Sequence, residues 1–141
     1  MRYKSGVRSE VHGLAQLAAL TMPAQCRIVS VPTSAGKVRE RGYDTIGLLA
    51  RQIVRRRPDV EYFPILRITR SVNDQVGLSA TERRANLAGA FGCIQPVTGE
   101  FVVLDDVVTT GSTAQECARA LRRAGAKKVS AFSVCASSNR R

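Results

Sequence analysis

Two adjacent acids followed by a hydroxyl-rich turn carry the chemistry of this chain. Residues 101–113 read Phe-Val-Val-Leu-Asp-Asp-Val-Val-Thr-Thr-Gly-Ser-Thr. Thr109, Thr110, Ser112 and Thr113 offer four hydroxyls, and with Gly111 they can present backbone N–H groups to a phosphate. A helix opening at this turn adds its positive dipole end. Asp105 and Asp106 can accept hydrogen bonds from two vicinal hydroxyls. Carboxylates set one ribose-width from a phosphate cradle suit a sugar phosphate, with the acids on the ring and the turn on the 5′-phosphate.

Such a constellation needs a strand to deliver the acids and a helix to close the cradle. Phe101 to Leu104 lack polar alternation, as in a parallel strand buried on both faces. Open α/β sheets bind ligands at the carboxyl ends of such strands. All thirteen positions resemble the phosphoribosyl-pyrophosphate (PRPP) signature of the type I phosphoribosyltransferases. A plainer reading is an ordinary strand–turn–helix in which Thr113 and Glu116 form a capping box.

The rest of the sequence fits one α/β domain over residues 1–141. A helix is expected over Ser9–Thr21, where Val11, Leu14, Ala15 and Ala18 recur at helical spacing. A strand over Arg27–Val31 leads into a polar loop, Thr33–Gly42. Asp44 is a plausible N-cap for a helix to Arg57, striped by Ile46, Leu49, Ala50 and Ile53 and stopped by Pro58. A strand is expected near Tyr62–Ile68, then a basic segment, Thr69–Leu78. Ser79-Ala80-Thr81-Glu82 reads as a capping box opening a short helix, and Phe91 belongs to a short strand. A helix from Ala114 carries Ala114, Cys117, Ala118, Leu121 and Ala124 on one face and stops at Gly125. Lys128–Cys135 is the last strand. Strands alternating with helices imply a mainly parallel central sheet with flanking helices.

The net charge is +11, with 22 basic residues against 11 acidic ones. This balance favours polyanions, and weak nucleic-acid binding through a basic surface follows from it. Seven aromatics and no Trp leave little for base stacking. If Arg55–Arg57, Arg122–Arg123 and Lys127–Lys128 shared one face, a nucleic-acid surface would be favoured; dispersal would favour a plain sugar-phosphate site. Cys26, Cys93, Cys117 and Cys135 show no C-x-x-C spacing, which excludes a zinc ribbon within these residues. Free, buried thiols fit a reducing, cytoplasmic compartment. No apolar run reaches membrane-spanning length, so no membrane partner is expected. Arg2, Lys4 and Arg8 ahead of Leu14–Leu20 mimic a signal peptide, but Glu10, His12 and Gln16 interrupt the apolar stretch.

Three further pieces belong to the site. Val31-Pro32-Thr33-Ser34-Ala35-Gly36-Lys37 is a second strand-end loop whose Thr33 and Ser34, with Arg39 and Arg41, suit a pyrophosphate, or form a plain surface turn. Arg67, Arg70, Arg83 and Arg84 border a polar stretch that can act as a mobile lid over polyphosphate, or stay a solvated loop. Tyr3-Lys4-Ser5-Gly6 places a lysine near an expected strand start, where it would reach phosphate or simply face solvent.

Together these pieces resemble the ComF family of bacterial phosphoribosyltransferase-like proteins. The resemblance runs through Tyr3-Lys4-x-Gly6, Val31-Pro32, Arg39-Glu40-Arg41-Gly42-Tyr43-Asp44, Gln75-Val76-Gly77-Leu78-Ser79, Glu82-Arg83-Arg84-Ala85-Asn86 and Gly89-Ala90-Phe91, in order, to the signature. It implies a type I phosphoribosyltransferase-like fold, a PRPP or ribose-5-phosphate ligand, and Mg²⁺ at Asp105 and Asp106, directly or through water. It implies transfer of phosphoribosyl to a nitrogen acceptor with release of pyrophosphate. The alternative it carries is a non-catalytic binding or regulatory module associated with DNA uptake in competence. Family members usually have a cysteine-rich zinc-binding segment ahead of the Tyr-Lys region, which these 141 residues do not include. No residue stands out as a general base.

Overall fold

The computed structural model describes the backbone of residues 3–70, 77–108 and 111–136, and the side chains of residues 9–70, 77–106 and 111–134. Its centre is a four-stranded parallel sheet. The strands are β1 (Arg27–Ser30), β2 (Glu61–Tyr62), β5 (Glu100–Val108) and β6 (Lys128–Ala136), in the order β2-β1-β5-β6. β3 (Leu66–Ile68) and β4 (Phe91–Cys93) form a separate antiparallel pair. Five helices complete the described chain: α1 (Tyr3–Thr21), α2 (Ala35–Arg41), α3 (Thr45–Arg56), α4 (Ala80–Leu87) and α5 (Ser112–Ala124).

Consecutive strand residues point to opposite faces, and Ile28, Val29, Val102 and Val103 are all buried. Both faces of the sheet are therefore covered. α3 packs on β1 and on α1, whereas α5 packs on β4, β5 and β6. The stripe Ile46, Leu49, Ala50 and Ile53 of α3 is buried as its period demands, and so are Ala114, Cys117, Ala118 and Leu121 of α5.

Four expectations need correction. The polar loop Thr33–Gly42 contains the helix α2, which buries no residue and so leaves no apolar stripe to read. Its ends hold it instead: Ser34 Oγ accepts from the Lys37 amide, and Gly42 closes it at φ 85°. The single strand expected over 62–68 is two short strands in different sheets, divided around Pro64, which has no N–H for a ladder. Tyr3–Gly6 opens α1 rather than lying at a strand start. The Thr113–Glu116 capping box does not form. Gly111, at φ 76°, is the N-cap, so the helix begins at Ser112, Thr113 is already inside it, and Glu116 turns to other partners.

Arg57 has a role that its place in a basic run conceals. Its Nη1 donates to the carbonyls of Ala19 at 2.8 Å and Met22 at 3.0 Å, closing the end of α1. Asp59 grips the same guanidinium at 2.7 Å and accepts from the Gln25 amide at 2.9 Å. Arg56 reaches His12 of α1 at 2.7 Å. These arginines tie the α1–α3 layer, while Arg122 and Arg123 lie on α5 beside α4.

Candidate sugar-phosphate site at the sheet switch point

From β1 the chain steps to β2 on one side of the sheet; from β5 it steps to β6 on the other. The reversal lies between β1 and β5. Crevices at such switch points, outside the carboxyl ends of the strands, are where open α/β sheets take ligands. Ser30 pairs with Leu104, and the Val31 amide donates to the Leu104 carbonyl at 3.0 Å. The segment 32–34 after β1 and the acids after Leu104 are therefore neighbours on one edge. Ser30 Oγ and Tyr62 Oη lie 2.7 Å apart and link the ends of β1 and β2.

Asp105 and Asp106 belong to β5 itself, which continues to Val108. The Asp106 amide donates to Asp105 Oδ1 at 2.8 Å. Ser133 of the adjoining β6 donates to the Asp106 carbonyl at 3.3 Å. Burial, followed by a side-chain hydrogen bond to Asp106 and its charge, pushes the Asp105 carboxyl up to about 7. Cys117, fully buried on α5, has its thiol pushed up to about 12 by burial and then by the charges of Asp105 and Glu116. It stays a neutral packing group.

Thr109 and Thr110 lie outside the described residues. Gly111 stands in the left-handed conformation, and a Cβ built there would meet nothing within 4 Å. The backbone at this point is open to an approaching group. Ser112 is buried and Thr113 half-buried at the start of α5, whose first turn carries no acid to compete for an anion.

The loop after β1 is internally tied. The Thr33 hydroxyl donates to Asp44 Oδ1 at 3.1 Å, and that oxygen also accepts from the Gly47 amide at 3.2 Å, as the N-cap of α3. Ser34 caps α2. Both hydroxyls expected on pyrophosphate thus have partners within the chain. Arg39 and Arg41 are exposed in the last turn of α2. Asp44 was visible in the sequence as a helix cap, but its hold on Thr33, eleven residues away, was not.

Of the lid candidates, Arg67 is exposed in β3, opposite Gly92. Arg70 donates to the carbonyls of Asn86 and Ala88 at the end of α4. Arg83 and Arg84 lie on α4, and Arg83 Nε is sealed from solvent with no partner among the described residues. Residues 71–76 lie outside the described residues, and with them most of the expected lid.

The donor set at Asp105–Asp106 fits Mg²⁺. Two hard carboxylates are held together, one with its ionisation opposed by burial and by the other. Mg²⁺ is commonly bound by one or two carboxylates with substrate phosphates completing its shell.

No family model matches the chain. It is 39% identical over 110 residues to the DNA utilization protein YhgH of Escherichia coli (strain K12), covering 77% of this chain and 48% of that protein. It is 32% identical over 112 residues to Competence protein F of Haemophilus influenzae, covering 76% and 48%. This chain belongs to the ComF family. It spans about half the length of these ComF relatives. Among solved structures it matches the glutamine phosphoribosylpyrophosphate amidotransferase of B. subtilis with TM-score 0.57 and 20% identity, over 88% of this chain and 26% of the other. An allosteric regulatory enzyme of purine biosynthesis matches with TM-score 0.55 and 19% identity, over 88% and 25%. The ComF chain thus has the type I phosphoribosyltransferase fold. Among the described residues, no helix is long and apolar enough to cross a membrane.

Proposed function

We propose that this chain binds PRPP or a related ribose 5-phosphate at the β1–β5 switch point and transfers the phosphoribosyl group to a nitrogen acceptor, releasing pyrophosphate. The observation that carries the reading is the Asp105–Asp106 pair on the last turns of pleat of β5, with Gly111 opening α5 just beyond it. Asp105 and Asp106 accept from the ribose hydroxyls. The backbone amides from Thr109 to Thr113 and the start of α5 hold the 5′-phosphate. The loop after β1 receives the pyrophosphate through its backbone, with Arg39 and Arg41 as nearby cations.

As the bond from C1 to pyrophosphate breaks, positive charge develops on the sugar and negative charge on the leaving oxygens. The carboxylates stabilise the first, and positioning of the acceptor nitrogen supplies much of the remaining rate. Mg²⁺, held by Asp105 and Asp106, would neutralise charge on the bound phosphates.

Calorimetry of PRPP with Mg²⁺, followed by a screen of nitrogen bases for pyrophosphate release, tests the proposal. Saturable binding that Asp105→Asn with Asp106→Asn weakens strongly is the expected result. Absence of PRPP binding by the folded chain would overturn it.

A second reading keeps the ligand site and drops the transfer, leaving a binding module that serves DNA uptake. The names of the bacterial relatives favour it, as does the lack of a described histidine at the switch point: His12, the sole histidine, is on α1 beside Arg56. PRPP binding without pyrophosphate release from any base would select this reading.

A further inference from the structure

A second charged feature lies away from the switch point. Ala88, Gly89, Glu116, Arg119, Arg122 and Arg123 line a cleft of about 400 Å³ between the end of α4 and the outer side of α5. Three of its six residues are arginines, and its one acid is buried and already engaged. Glu116 accepts from the Arg119 guanidinium at 2.5 Å and from the Gly89 amide at 3.4 Å. Arg123 Nε reaches the Arg119 carbonyl at 3.4 Å, and Arg122 is exposed. A fourth cation, Arg70, is held against the Ala88 carbonyl on the α4 side of the cleft.

Arg119, Arg122 and Arg123 follow helical spacing, so they share one side of α5. At 1.5 Å per residue they sit roughly 12–18 Å along the axis from Gly111, well beyond the expected phosphate cradle. The cleft is lined by long guanidiniums and two small residues, with no aromatic ring. Sites for small molecules enclose most of their ligand, whereas this cleft is open to solvent. A row of flexible cations without a stacking surface instead suits repeated phosphates read by charge.

We infer that this α4–α5 cleft is a contact surface for the phosphate backbone of double-stranded DNA, separate from the sugar-phosphate site. Duplex is favoured over single strand because it carries the denser charge and no ring is present to stack unpaired bases. Arg122 and Arg123 make the phosphate contacts, while Glu116 fixes Arg119 against α5.

Binding of a fluorescent duplex of random sequence, followed by anisotropy across a salt series, tests the inference. Arg122→Gln with Arg123→Gln leaves the Glu116 pair intact. It should weaken binding several-fold at every sequence and lower the magnitude of the salt slope by about 2, close to 0.9 per lost contact. Arg55→Gln with Arg56→Gln, both in the last turn of α3, removes the same charge elsewhere and should leave the slope near that of the wild type. Arg122→Lys with Arg123→Lys should restore it. Equal losses in the two glutamine variants would reduce the effect to net charge and overturn the assignment, as would an unchanged slope in the first. Displacement of the duplex by PRPP with Mg²⁺ would also overturn it, by placing the DNA on the switch point. PRPP affinity measured on the same variants should not change, so failure of the sugar-phosphate reading is detected independently.

Discussion

The Asp106 amide donates to Asp105 Oδ1 at 2.8 Å, so the first acid of the pair is held by the backbone of the second. The two carboxyls therefore form one unit, and burial keeps that unit short of charge compensation. Replacing both by Asn keeps shape and hydrogen-bonding capacity but removes the charge. Asp105→Asn with Asp106→Asn should weaken PRPP binding by roughly 2–4 kcal/mol, the scale of lost charge-assisted hydrogen bonds. The variant should fold as well as the wild type, since no buried carboxyl must then be ionised. Calorimetry with a parallel melting curve checks both parts; undiminished affinity in the folded variant would remove the acids from the site.

Gly111 and Gly36 should respond in opposite ways to the same substitution. Neither would crowd a neighbour, since a Cβ at each meets nothing within 4 Å. Gly111 has φ 76°, so Gly111→Ala forces an L-residue into the left-handed region at a cost of about 1–2 kcal/mol. Gly36 lies within α2 and pays the ordinary helical penalty of glycine. Gly36→Ala should stabilise the chain by about 0.5–1 kcal/mol. Denaturant midpoints for the two variants give the comparison, and shifts of the same sign would contradict these backbone assignments.

Asp59 gives the fold an acid-sensitive tie. The Arg57 guanidinium, and then the Gln25 amide, hold its carboxyl well below the usual carboxylate range. A depressed folded value means that the unfolded chain binds the proton first as pH falls. The contribution is whole above the ordinary Asp value near 4 and is lost progressively as pH drops below it. Asp59→Asn should lower stability at pH 7 and flatten its decline from pH 5 to pH 2.5. Equal slopes for wild type and variant over that range would remove Asp59 from the acid response.

Elements with a buried stripe and a stop signal were legible in the sequence. α3 shows Asp44, four apolar residues in phase and Pro58; the Ser79–Glu82 capping box forms with bonds of 2.6 and 3.2 Å. α2 was not legible, because its stability comes from caps at Ser34 and Gly42 and it buries nothing. The division around Pro64 was not, because which sheet each half joins depends on distant partners: β2 pairs with β1, and β3 with β4. At the candidate site, the order of acids and turn was readable, since the residues proposed for the ligand lie along one segment of the sequence. The ties that shape it, Thr33 to Asp44 and Arg57 to α1, join residues 11 to 38 apart and leave no local pattern.

The Thr33–Asp44 tie separates two roles for the loop after β1. If Thr33 acts on the ligand directly, its hydroxyl must leave Asp44 Oδ1, where it now donates at 3.1 Å. If it acts as a brace, it sets the loop by holding the cap of α3, and ligand meets the backbone instead. Thr33→Val removes the donor and should cost about 0.5–1.5 kcal/mol of stability. Asp44→Ala removes the brace and the cap together and should cost about 0.5–2 kcal/mol. As a brace, the two effects are not additive, and the double variant should be more stable than the sum by about 0.5 kcal/mol or more. PRPP affinity should follow the same rule: Thr33→Val weakens binding in the wild-type background and adds little once Asp44 is alanine. A full loss on adding Thr33→Val to Asp44→Ala would show instead that the hydroxyl itself reaches the ligand.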